Sequence, residues 1–410
     1  MPALILLSVL VVAAPVGEEV VCPAEAAPPA LEWNVVSPGI DHARGGWGKP
    51  VKPGAKQKGP LPVAFHLLRV TLGEAGDEGG LSLRALRVPD RSAKVEEMVA
   101  WARAEGETVE AAVNGDYYPP GQGAKDPLGM LVSDGRLLAA ARGTSSLLLD
   151  SHNRAHVGLF PLAVRLVGPE LDLPIADMNR KAGRNEAVLH AGRYRTRSEP
   201  QWGCRSLRLA LSAGEPMMNR TVPVTVSAAG DAGRVRSFQR EEYLLVACGK
   251  QAQAITAVKE GDPLWLETRL EGIDWVPVEA LSGGPRILRD GRVGIETAQE
   301  KLTGGMKGWV PKRHPRTAVG VGGEGQTVFL LVAEGRLPHT DGMTAIEAAC
   351  VLKAVGADDA LLFDGGGSSS LLLGEKFVSK PQVWHNRSGR AVADVLAVVR
   401  EGPTPPPQEE

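Results

Sequence analysis

The chain has 410 residues, 43% of them hydrophobic, which is enough to fill a sizeable core, so disorder is not the default. Lys and Arg total 46 against 48 Asp and Glu, so a formal net charge of −2 supplies no global field toward nucleic acid or an acidic membrane surface. Aromatic residues are scarce at 4%, whereas 49 Gly and 31 Pro indicate many turns and short strands; the expected class is α+β, a single mixed, β-rich domain with a few packed helices.

Residues 1–26 read as a signal peptide. Ala3 to Ala14 is an apolar run too short to span a bilayer, and Ala24-Glu25-Ala26 offers a cleavage site, although no Lys or Arg precedes the run. Export to a periplasmic or secreted location is the expectation, with no transmembrane segment in the mature chain. Residues 27–60 read as linker and irregular lead-in, 61–401 as the folded domain, and 402–410 as an unpacked Pro-rich tail. The four cysteines show no C-x-x-C spacing, which argues against structural zinc. In an oxidising compartment Cys204 and Cys248 are the most natural pair, because both flank β-type segments. Cys350, inside a helical pattern, reads as a small buried hydrophobe.

Within the domain, Val63 to Val70 and the alternating Leu81 to Val88 predict strands. Ser92 to Glu105 predicts a helix burying Val95, Met98, Val99 and Ala102. Val109 to Val113 predicts a buried strand ending at Asn114-Gly115-Asp116-Tyr117-Tyr118. Two hairpins share one grammar, apolar runs joined at Asp134-Gly135 and at Asp290-Gly291, the signature of type I′ turns. Ala318 to Val321 and Thr327 to Ala333 predict strands around a Gly-rich turn. Thr344 to Val355 predicts a helix with a Thr344/Glu347 capping box, stopped by Gly356. Ala360 to Phe363 is a short buried strand that delivers Asp364 into Gly365-Gly366-Gly367-Ser368-Ser369-Ser370, followed by strand Leu371 to Leu373. Val392 to Val399 is expected to close the sheet.

Asp364 is the first candidate for chemistry. An ionisable side chain at the mouth of a buried strand, before three glycines, is costly unless used, since consecutive glycines forfeit backbone entropy. In return they allow close approach and a set of N–H groups aimed at one anion. The same pattern also fits a plain turn whose Asp caps its own backbone. Asn114 and Asp116 repeat the theme of a buried strand ending in polar residues, with an ordinary Asn-Gly turn as the plainer reading. Arg316 enters a strand, where a guanidinium can clamp two phosphodiester oxygens, or simply make an edge ion pair. Gly283 and Gly284 offer a second place for backbone to approach a ligand. His339, Asp341, His385 and Arg390 flank the Asp364 segment, and Glu347 reads as a cap rather than an acid.

The blocks Asn114 to Tyr118, Leu131 to Leu137, Gly283 to Gly291, Pro315 to Gly320 and Asp341 to Leu371 occur in an order and spacing that resembles the phosphodiester glycosidase family across roughly 61 to 400. The resemblance implies a single α/β domain and hydrolysis of a sugar joined through its anomeric carbon to a phosphodiester. By position it implies Asn114, Arg316, Asp364, Gly365, Gly366, Gly367 and Ser368 as active-site residues. Asp116 departs from the family's mammalian block, which has glycine there, so it is either an extra carboxylate of the site or a turn residue. The expectation is therefore an exported hydrolase acting on a glycan or sugar-phosphate polymer, for instance an N-acetylglucosamine phosphodiester. Asp364, Asn114, Arg316 and Asp116 stand as catalytic candidates, and Gly283, Gly284, Gly365, Gly366, Gly367, Ser368 and Arg390 as substrate-binding candidates. No cofactor is required and no metal-ligand cluster is evident, which leaves room for one carboxylate-held Ca²⁺ or Mg²⁺. Two other readings stand beside it: a non-catalytic wall- or polysaccharide-binding module, and a metal-dependent phosphodiesterase cutting the P–O bond.

Overall fold

The computed structural model describes residues 20–23, 31–48, 62–119, 126–194, 199–211, 217–234, 237–302, 308, 310–379 and 389–402. The expected cleavage motif, His385 and nearly all of the Pro-rich tail lie outside the described residues.

Strands dominate, as the composition implies, and among the described residues three α-helices pack against them: α1 (Val95–Ala104), α2 (Lys250–Ala254) and α3 (Ala345–Ala354). With strands numbered in chain order, one eight-stranded sheet runs β1 (Asn34–Ser37), β2 (Ile40–Trp47), β3 (Val63–Thr71), β22 (Thr327–Glu334), β21 (Arg316–Gly322), β23 (Asp359–Leu362), β19 (Arg286–Arg289), β20 (Arg292–Val293). A five-stranded sheet, β25 (Lys376–Phe377), β24 (Leu371–Leu373), β5 (Thr108–Asn114), β26 (Val395–Arg400), β4 (Leu81–Leu86), stands beside it. A second five-stranded sheet is built from β7 (Arg136–Ala139), β6 (Leu131–Ser133), β18 (Pro277–Ser282), β8 (Ser146–Asp150) and β9 (Ala155–Gly158). The other eight-stranded sheet comprises β11 (Leu171–Pro174), β10 (Leu162–Gly168), β17 (Pro263–Leu270), β15 (Thr221–Asp231), β14 (Cys204–Leu211), β16 (Glu242–Cys248), β13 (Ala187–Ala191) and β12 (Asp177–Met178). One apolar core, including Leu68, Val113, Leu131, Leu148, Leu245, Leu330, Phe363 and Leu396, joins residues from all four sheets.

Local chemistry accounts for much of this. α1 buries Val95, Met98, Val99 and Ala102 as expected, but begins after Lys94, and no side chain caps it. α3 carries the full capping box: Thr344 accepts from Glu347 N and Glu347 accepts from Thr344 N. Both hairpin turns hold their Asp-Gly pairs at positive φ, 51° and 67° at Asp134-Gly135 and 49° and 71° at Asp290-Gly291.

Three expectations change. The lead-in is not irregular throughout, because β2 pairs with β3 over eight positions, from Ile40↔Val70 to Trp47↔Val63. Long-range pairing supplies order that the local pattern lacks. The segment from Val395 does not close a sheet; it lies between β5 and β4, fully buried apart from Arg400. Cys350 is not a lone hydrophobe but is bonded to Cys22, while Cys204 pairs with Cys248 as expected. The Cys22 bond also bears on the expected leader boundary, since cleavage after residue 26 would remove Cys22. Val20 N donates to Val293 O at 3.1 Å, so the bonded segment is tied to the domain from residue 20 onward.

Candidate functional site

β23 belongs to the large sheet and β24 to the neighbouring one, so residues 363–370 carry the chain across the seam. The crossing is pinned by backbone bonds: Phe363 N to Thr317 O, Asp364 N to Gly115 O, and Gly366 N to Pro315 O. Gly366 adopts φ 62°, and a Cβ there would stand 3.0 Å from the Arg336 guanidinium, so glycine serves both the turn and the close approach.

A pocket of ≈ 280 Å³ opens over this loop, lined by Tyr117, His314, Arg336, Asp364, Gly365, Gly366, Gly367 and Arg390. Ser368 Oγ donates to Asp364 Oδ2 at 2.5 Å and accepts from Arg390 through Nε (3.0 Å) and Nη2 (2.7 Å). Tyr118 OH lies 3.2 Å from the same hydroxyl, and Arg390 stacks over the Tyr118 ring at 5.4 Å. Arg390 Nη2 also reaches Asp364 Oδ2 at 3.4 Å. Burial raises the Asp364 carboxyl above its ordinary range, against the lowering effect of Ser368 and Arg390.

Two cations therefore face one carboxyl. Arg336, held at the left-handed φ of 56°, contacts His314 Nδ1 at 3.3 Å and makes no ion pair among the described residues. Burial and the nearby Arg390 both lower its pKa. His314 is also lowered, by burial and then by Arg316 and Arg336, so its imidazole is neutral at neutral pH. A surplus positive guanidinium beside a second arginine suits an anion.

The other candidates lie behind the pocket. Asn114 is fully buried; its Nδ2 donates to Asp364 O at 2.6 Å, and its Oδ1 accepts from Thr317 Oγ1 at 2.7 Å and Ser370 N at 3.2 Å. It braces the crossing loop. Asp116, 2% exposed, accepts from Tyr117 N at 2.7 Å and Gly129 N at 2.6 Å, so both its oxygens are committed to backbone and it is not in the pocket wall. Arg316 is likewise turned to structure. Its Nε donates to Met343 O at 2.9 Å and its Nη2 to Val310 O and Lys312 O at 3.1 and 2.6 Å, which corrects the expected phosphodiester clamp. Gly283 and Gly284 are corrected too: their N–H groups bond to Ser145 O and Leu362 O, and Gly284 O receives the Tyr117 hydroxyl at 2.8 Å. That segment anchors the pocket's tyrosine. Glu347 serves its helix cap and pairs with Arg313.

Sequence reasoning missed Arg336, His314 and Asp394. Asp394 is fully buried; its Oδ1 accepts from Asp116 N at 2.7 Å, and its Oδ2 has no partner among the described residues. Burial raises its pKa to about 7, with Asp364 adding to the effect. It also explains Gly115, where a Cβ would come within 2.3 Å of Asp394 Oδ1. A lone carboxylate inside the apolar run Ala391 to Val399 was the available signal, because burying a charge there is expensive. Arg336 carried no such signal. Among the described residues no group of three or more His, Cys, Asp or Glu side chains is arranged to hold a metal ion.

Fold and pocket together define a β-rich protein with a pocket in which two arginines surround one raised carboxyl. The model of the phosphodiester glycosidase family matches residues 217–399, and the resemblance read from the motifs therefore stands. The match takes in Arg336, the Asp364 loop, Arg390 and Asp394 and leaves out Asn114 to Tyr118. A prophage-derived uncharacterised protein of Bacillus subtilis, YomE, is 31% identical over 86 residues, 21% of this chain and 13% of that protein. The fold is similar to that of a hypothetical protein from Synechocystis (TM-score 0.67, 16% identity), covering 91% of this chain and 64% of the other. It is also similar to that of a Burkholderia pseudomallei protein named for export (TM-score 0.61, 22% identity), covering 82% and 74%. The chain thus spans less than two thirds of both the Bacillus and the Synechocystis proteins.

Proposed function

We propose that this protein is an exported hydrolase that cuts a sugar phosphodiester at the anomeric carbon, with Asp364 as its acid and Arg336 and Arg390 as its phosphate clamp. The observation that carries the reading is the unneutralised Arg336 facing Asp364 and Arg390 across the glycine loop. The phosphodiester anion sits between the two guanidinium groups, replacing their mutual repulsion with charge-assisted hydrogen bonds. Asp364, kept protonated to higher pH by burial, donates its proton to the leaving phosphoryl oxygen as the C–O bond breaks. That oxygen keeps the bonding electron pair. Water adds to the anomeric carbon, its surplus proton passes to solvent, and Asp364 is reprotonated for the next turnover. A phosphate monoester is already a good leaving group, so the arginines, which hold its charge as it develops, carry much of the stabilisation. The two disulfides are in keeping with an oxidising, extracytoplasmic setting, and no helix among the described residues is long and apolar enough to cross a membrane.

Purified protein incubated with UDP-N-acetylglucosamine or an aryl sugar phosphodiester should release free sugar. Asp364→Asn should lower turnover by about two to four orders of magnitude, the usual worth of general acid catalysis. Near-normal turnover in a folded Asp364→Asn protein would remove that residue from the mechanism, and saturable binding without product would make the protein a binding module instead.

A further inference from the structure

At the far end of the large sheet lies a second cleft, of ≈ 380 Å³, between β9 and the turn that joins β21 to β22. β21 runs from beside the Asp364 loop at its start to this cleft at Val321 and Gly322. Seven strand residues at ~3.3 Å each place the two openings about 20 Å apart. One wall is aromatic: Trp275 and His156 meet with ring centroids 4.6 Å apart, and Phe160 extends the surface. His156 is fixed from behind, its Nε2 3.0 Å from Asp150 Oδ2. The opposite wall is acidic. Asp359 is engaged by Arg286, but the exposed carboxylates of Asp358 and Glu324 have no partner among the described residues.

We infer that this cleft is a glycan-binding subsite that seats a single pyranose ring on Trp275 and Phe160, with ring hydroxyls donating to Asp358 and Glu324. A pyranose has an apolar C–H face and a rim of hydroxyl donors, which the cleft meets with aromatic faces and free acceptors. Among the described residues no Lys or Arg lines it, so it offers nothing to the phosphate proposed to bind about 20 Å away, roughly the length of the intervening strand. A small inorganic cation would use the carboxylates and leave the aromatic wall idle. A pyranose uses both walls, its C–H face against the rings and its hydroxyls on the carboxylates. The subsite would tether a polymeric glycan without taking part in the chemistry, and it does not depend on the reaction proposed above.

The test is titration of the full chain with two probes, a tetramer of N-acetylglucosamine and its N-deacetylated counterpart, followed by isothermal titration calorimetry in every variant and, where Trp275 is present, by its indole N–H resonance. A Trp275→Phe variant identifies that resonance. Saturable binding of either tetramer, weakened at least tenfold in a folded Trp275→Ala protein, would support the subsite. Preference for the deacetylated tetramer would add that Asp358 and Glu324 pair with its ammonium groups. Should Trp275→Ala fail to fold, Asp358→Asn carries the same expectation of weaker binding. No saturable binding of either tetramer, or binding unaffected by both variants, would overturn it.

Discussion

Replacing Asn114 by alanine tests how the site is held in place. The side chain makes three hydrogen bonds in a fully buried setting, to Asp364 O, Thr317 Oγ1 and Ser370 N. A buried hydrogen bond is worth about 1 kcal/mol net, and a partner left unsatisfied costs about 1–3 kcal/mol. Three lost bonds give about 3 kcal/mol, and incomplete rescue of the stranded carbonyl, hydroxyl and amide by water takes the expected loss to about 3–5 kcal/mol. Urea denaturation, with the slope held in common, should report this as a lower midpoint. The carbonyl released is that of Asp364, so turnover should fall as well, even in protein that remains folded. A loss below about 1 kcal/mol with unchanged turnover would refute the assignment of Asn114 as the brace of the crossing loop.

Other outcomes follow from the same geometry. Gly366→Ala forces a left-handed φ on alanine, costing about 1–2 kcal/mol, and pushes its Cβ against Arg336. Its KM for a sugar phosphodiester should rise more than its stability falls, as steady-state kinetics and thermal melting would show. Asp394, raised to about 7 by burial, binds its proton more tightly folded than unfolded, where a carboxyl titrates near ~3.9. Its contribution is full below about pH 4 and is lost as pH rises through about 7. Asp394→Asn should flatten that part of a stability profile measured from pH to pH by denaturation. For catalysis, activity should decline on the alkaline side as Asp364 loses its proton, because the raised carboxyl acts as the acid. Non-reducing peptide mapping of the purified protein should recover Cys22–Cys350 and Cys204–Cys248, and any leader removed on export should end before Val20. A mature chain starting after residue 26 would contradict the first bond.

What was legible in the sequence was local. The Asp134-Gly135 and Asp290-Gly291 turns, the Thr344/Glu347 box and the strand that presents Asp364 each follow from residues a few positions apart, and each is present. The rest depended on distant partners. β1 and β2 gain order from β3, and the Cys22–Cys350 bond spans 328 residues. The site divides along the same line. That a glycine loop follows a buried strand can be read from the chain, but the direction of a strand-entry arginine cannot. Arg316 turns to the carbonyls of Val310, Lys312 and Met343, and the place at the pocket falls to Arg336, a residue outside any motif. Asp116 and Asp394 illustrate the converse. Neighbouring buried carboxyls are legible as costly residues, yet only the seam between sheets reveals that they lie behind Asp364.

Cleavage of an anomeric sugar phosphodiester in heavy-oxygen water tests the central claim most directly. If the anomeric C–O bond is broken, mass spectrometry will find the label in the released sugar and none in the phosphate. Label in the phosphate, with a sugar that carries none, would mean P–O cleavage and would contradict the roles given to Asp364, Arg336 and Arg390.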